Sequence, residues 1–239
     1  MSETMVILVI ILLSGLIQGI TGFGFGLFAM GALVLVMPIR EATVIVAILS
    51  LGSALVNLWS VWRHIPWRDV WPIVGPALPM TVFGVLLLQW VPAEILKAGV
   101  AVMILAGCAV TFWQPPRPLV NRPFPVAYLA GLVGGVFGGA LNMGGPPVVL
   151  YTLLRGWEKT KAKCIMSAFF LTTGIVRVAM HLMTGAATAP LLRTALLLML
   201  PALGATYLGV RIFRRISTRT FRYAAAALLV GLAARILTG

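Results

Sequence analysis

Acidic side chains are nearly missing from this chain of 239 residues: Glu3, Glu41, Asp69, Glu94 and Glu158 stand against 18 Lys and Arg. An Asp/Glu proton relay through the membrane is therefore not expected. Cysteine is equally scarce. Cys108 and Cys164 lie in apolar or membrane-edge segments without CxxC spacing, which argues against a disulfide and against a metal site. No nucleophile with a base beside it and no cluster of His, Asp and Glu is visible, so an enzyme is not expected. A GxxxxGK[ST] motif is also missing, so ATP is not the expected energy source and no cofactor is expected. The N-terminus, Met1-Ser-Glu-Thr4, lacks a positive n-region and no small-residue cleavage site follows. Met5 onward reads as a span, not as a signal peptide.

What the chain has is apolar length. Hydrophobic residues make up 61% and the mean hydropathy is +1.06, beyond a soluble chain of this size, so an all-α polytopic membrane protein is expected. The net charge of +13 would suggest nucleic acid in a soluble protein; here it reads as the cytoplasmic loops, with membrane lipid as partner and no nucleic acid. Arg211-Ile-Phe-Arg-Arg-Ile-Ser-Thr-Arg219 likewise needs only an anionic inner leaflet. Apolar runs fall near 5–37, 42–62, 70–90, 95–113, 125–155, 162–184, 190–210 and 221–237. The first and fifth are too long for one crossing: residues 5–37 as a straight helix would measure about 50 Å against a core of about 30 Å. Each is expected to fold into a hairpin of two short helices with irregular backbone at its tip.

Both long runs carry glycine. Gly15, Gly19, Gly22 and Gly26 are spaced 4, 3 and 4 apart, and Gly131, Gly135, Gly138 and Asn142 repeat that spacing. Displaced by 117, Glu41, Thr43, Ser50 and His64 fall on Glu158, Thr160, Ser167 and His181. At 125, Pro76-Ala-Leu78 meets Pro201-Ala-Leu203, Thr81 meets Thr206, and Gly84-Val85 meets Gly209-Val210. Two repeats are expected, 1–115 and 123–239, each a glycine-rich hairpin plus three transmembrane helices, joined by a proline-rich linker at 116–122. If the repeats are inverted, Arg63, Arg68, Arg117, Arg122, Arg155, Lys159, Lys161, Lys163, Arg211, Arg214, Arg215, Arg219 and Arg222 share one face. Only Arg40, Lys97, Arg193 and Arg235 take the other. That split obeys the positive-inside rule and places both termini in the periplasm. Trp62, Trp67, Trp71, Trp90, Trp113 and Trp157 lie near span ends, as interfacial anchors do.

Irregular backbone at membrane depth is tolerated where protein covers it or a polar cavity meets it. Helices beginning after Gly26 or Gly145 would aim unpaired N–H groups and a positive dipole end at the tips, an anion site in miniature. The candidate binding residues are Thr21, Gly22, Gly24 and Gly26 at one tip and Asn142, Gly144, Gly145 and Pro146 at the other, with Thr21 adding a hydroxyl and Asn142 an amide donor. Gly15, Gly19, Gly131 and Gly135 need only allow close helix packing. Arg177 is the one basic residue well inside a span. It either faces the cavity or snorkels outward from below the surface. His181, one turn on, suits proton coupling, though an interfacial structural role is the expected one. Ser50, Ser167, Thr172, Thr173, Asn57, Gln18 and Gln89 either bond between helices or line the path.

Ile20-Thr-Gly-Phe-Gly-Phe-Gly26, with Gly138-Gly-Ala-Leu-Asn-Met-Gly-Gly-Pro-Pro147 leading through Tyr151 to Arg177, resembles the sulfite exporter TauE/SafE family. The resemblance implies a bacterial inner-membrane transporter of sulfite or organosulfonates. The expected function is a secondary transporter of a small sulfur-containing anion bound at midplane. A coupling ion, proton or sodium, and a homodimer are further partners to test. A passive anion channel and a non-transporting structural or assembly subunit are the alternatives.

Overall fold

The computed structural model describes residues 3–113, 117–213 and 235–236. The chain is an all-α polytopic membrane protein, and six of the described helices are long and apolar enough to cross a bilayer. In order the described α-helices are α1 (Glu3–Thr21), α2 (Phe25–Leu33), α3 (Ile39–Val61), α4 (Trp67–Trp90), α5 (Ala93–Phe112), α6 (Val126–Leu141), α7 (Gly145–Leu154), α8 (Lys159–Met183) and α9 (Ala189–Phe213); α2, α6 and α7 are the three shorter than a span. The final apolar run, and Arg214, Arg215, Arg219 and Arg222 with it, lies outside the described residues apart from 235–236.

Proline sets the boundaries. Pro38, Pro66, Pro92 and Pro125 occupy the N-cap positions of α3, α4, α5 and α6, where a ring that cannot continue an upstream helix costs least. Both overlong runs break within their glycine stretches, at 22–24 and 142–144, and the second helices begin at Phe25 and Gly145, not after Gly26 and Gly145 as expected. The first hairpin differs from expectation in its arms: α1, at 19 residues, is long enough to cross alone, and α2, at 9, is the short one. In the second, of 16 and 10 residues, the chain doubles back. A Cβ on Gly134 of α6 would lie 3.3 Å from Val148 of α7. Left-handed backbone makes each break: Gly22 has φ 80°, Gly24 φ 106° and Asn142 φ 59°, a region glycine enters freely and asparagine more readily than most residues.

α3 and α8 pack together at the centre, α1 lies on α9 and α6 on α4. These outer pairs touch backbone to backbone. A Cβ on Gly19 would run into the Thr206 carbonyl, and one on Gly139 into the Thr81 carbonyl. Thr81 and Thr206 are sequence mates, so Gly19 corresponds to Gly139, a displacement of 120. The glycine spacing had paired Gly19 with Gly135, one helical turn short. The same displacement recurs in hydrogen bonds. Gly22 N–H donates to the Gln18 carbonyl at 2.8 Å and Asn142 N–H to the Gly138 carbonyl at 3.0 Å. Asn57 Nδ2 donates to that Gln18 carbonyl at 3.2 Å, and Arg177 Nη1 to that Gly138 carbonyl at 3.0 Å. In α3 and α8 this replaces the displacement of 117, again by about one turn.

Trp62, Trp67, Trp71 and Trp90 are exposed near helix ends, as anchors should be. Lys161 Nζ meets Asp69 Oδ2 at 2.6 Å, tying the starts of α4 and α8 together. Lys163 corrects the charge tally: it is 3% exposed, inside α8, and belongs to no loop.

Candidate functional site

The two tips meet between α3 and α8. Gly26, at the start of α2, sits so close to the Asn142 carbonyl that a Cβ there would overlap it. α2 begins without a side-chain cap from Gly24; Gln18 supplies one instead, its Oε1 accepting the Phe25 N–H at 3.1 Å. α7 offers fewer donors, because Pro146 and Pro147 in its first turn carry no N–H.

Arg177 closes this centre from α8. It is 3% exposed, so the snorkelling alternative fails. Nη1 donates to the Gly138 carbonyl, Nη2 lies 3.3 Å from Ser50 Oγ, and Nε is buried with no partner. Its charge therefore stands at the carbonyl end of α6, which favours a cation. Lys163 is matched to the other hairpin: Nζ donates to the Gly19 carbonyl at 3.0 Å, near the end of α1. Asn142 is 5% exposed. Its Nδ2 donates to the Thr43 carbonyl at 2.8 Å, while Oδ1 is buried without a partner. That bond fixes which way the amide points, since a reversed amide would set oxygen against oxygen. The expected amide donor thus spends an N–H on the protein and leaves an acceptor unmatched.

A cavity of about 10 Å³ lies where these groups converge, room for about one water. Of the expected residues it brings together Gly24, Gly26, Asn142, Gly145 and Arg177. Gln18, Phe25, Ser50 and Phe170 join them. Thr21, Gly22, Gly144 and Pro146 do not line it. Thr21 Oγ1 bonds locally to the Ile17 carbonyl at 2.8 Å and to Phe23. Gly22 forms the left-handed turn, with its α-carbon face toward Lys163. Gly144 presses on the Gly134 carbonyl, and Pro146 lines a separate apolar cavity with α5 and α6.

Sequence reasoning missed Lys163, and the signal was available. Positions 163, 167, 177 and 181 fall on one face of α8 at 3.6 residues per turn. Lys163, Ser167, Arg177 and His181 are all buried there. His181, in the last turn of α8, is buried, and neither ring nitrogen has a partner.

The family described as Sulfite exporter TauE/SafE matches this chain over residues 7–236. A protein of Cupriavidus necator described as a probable sulfite/organosulfonate exporter TauE is 26% identical over 228 residues, covering 92% of this chain and 88% of its own length.

Proposed function

Since this chain belongs to the sulfite exporter TauE/SafE family, we propose that it exports sulfite or an organosulfonate across the bacterial inner membrane as a secondary transporter. The anion binds where the hairpin tips cross. Arg177 supplies the charge that offsets its desolvation, and the amides at the start of α2 supply oriented donors. One observation carries this reading: a buried guanidinium lines the cavity between the tips with its Nε unpartnered. A buried charge so incompletely bonded is costly, and an oxyanion supplies the missing acceptor.

Two inverted repeats, 1–115 and 123–239, frame the site, with both termini periplasmic and the 116–122 linker cytoplasmic. The paired contacts at a displacement of 120 support two related halves, and the basic loops support their orientation. The halves are unequal in charge: Lys163 and Arg177 of α8 answer to Thr43 and Asn57 of α3. Room for one water is too little for a sulfur oxyanion, so binding parts the tips, and an ion or anion gradient drives the cycle. Arg177→Gln tests the reading on purified, monodisperse protein. Sulfite affinity is expected to fall about 10-fold or more, as the loss of a charged hydrogen bond implies, with Arg177→Lys between the two. Unchanged affinity in Arg177→Gln would remove Arg177 from the site. A passive channel shares the tips but shows no trans-stimulated counterflow, which a carrier does.

A further inference from the structure

The cavity wall carries two unmatched polar atoms of opposite kind. Arg177 Nε is a donor without an acceptor, and Asn142 Oδ1 is an acceptor without a donor. Both residues are more than nine-tenths buried and both line the cavity. A plain sulfonate or a sulfite dianion has only acceptors. It would satisfy the guanidinium and leave Asn142 Oδ1 buried, facing further negative charge.

We infer that the site selects a singly charged sulfur oxyanion that also carries an O–H or N–H donor, with Asn142 Oδ1 accepting that donor while Arg177 holds the anionic oxygens. Hydrogensulfite and hydroxysulfonates fit this chemistry. Sulfite dianion and alkanesulfonates do not. The inference rests on the proposed tip site and adds the specificity that Asn142 confers. No proton or electron is transferred; the ligand's own hydrogen is shared.

The discrimination is geometric and therefore strong. A buried acceptor left without a donor costs more than a mere loss of contact, and sites built to hydrogen-bond a ligand group reject analogues that lack it. Asn142 also admits a gentle substitution. Its left-handed backbone corresponds to Gly22 at the other tip, so Asn142→Gly keeps the turn while removing the acceptor.

The test compares isethionate with propane-1-sulfonate, which replaces the hydroxyl by a methyl at nearly constant size, on purified protein at one fixed pH. Wild type is expected to bind isethionate about 10-fold or more tightly. Asn142→Gly, checked by thermal melting, is expected to bind the two alike. Equal binding of both sulfonates by wild type would overturn the inference and leave the tip site standing. A preference retained in Asn142→Gly would also overturn it, by placing the acceptor elsewhere. Should wild type bind neither sulfonate nor sulfite, the tip site itself falls, and this inference with it. The wild-type comparison decides even if Asn142→Gly fails to fold.

Discussion

At the scale of single residues, the glycines of the tips do different work. Gly24 has φ 106°, where any side chain strains the backbone whatever space surrounds it. Gly145 has no such constraint, and a Cβ there would meet Phe23 at 3.3 Å and Phe170 at 3.4 Å, tight against rings that can shift. Gly24→Ala is therefore expected to lower the melting temperature, by roughly 1–2 kcal/mol of stability. Gly145→Ala is expected to fold normally and weaken sulfite binding, because its methyl crowds the cavity. Measuring melting and affinity on both variants separates the two; normal melting of Gly24→Ala would contradict the left-handed turn. Arg177 was legible in the sequence as the one cation deep in a span. Lys163 was legible only through its register with Ser167, Arg177 and His181 on α8; taken alone, a basic residue five positions from Glu158 reads as loop. The unmatched oxygen of Asn142 was illegible for a different reason: it depends on the Thr43 carbonyl, 99 residues away.

At the scale of helices, the breaks were readable and their register was not. Glycine and proline at 22–26 and 144–147 cannot continue a helix quietly, so both hairpins follow from local chemistry. Register failed because Gly131, Gly135 and Gly139 recur every four residues. Sliding by one turn lays glycine on glycine, and only the partner helix distinguishes the choices. The crossings of α1 on α9 and α4 on α6 put carbonyls where the Cβ atoms of Gly19 and Gly139 would be. Gly19→Ala and Gly139→Ala are each expected to destabilise by about 1–3 kcal/mol, as overpacking does. A Cβ on Gly204 of α9 meets nothing within 4 Å, so Gly204→Ala should be neutral or gain up to about 1 kcal/mol. Denaturation in detergent checks all three, and equal melting of the set would contradict the close crossings.

At the scale of the whole molecule, the proposed transporter joins two halves of opposite orientation around one anion. The charge pattern that orients them survives the loss of Lys163 from the loops, since Arg63, Arg68, Arg155, Lys159 and Lys161 still lie at the connected ends of α3, α4, α7 and α8. Native Cys108 and Cys164 are both buried, so a cysteine placed at Asn121 is expected to resist membrane-impermeant reagents in intact cells and to label in inverted vesicles. Labelling from outside would contradict the inverted arrangement. Where the anion binds is decided by a structure of the protein with selenite, a heavier pyramidal analogue of sulfite. Anomalous signal is expected between Gly26, Asn142 and Arg177, with the tips parted to admit it. A single strong site elsewhere, with that cavity still closed, would rule out the tip site.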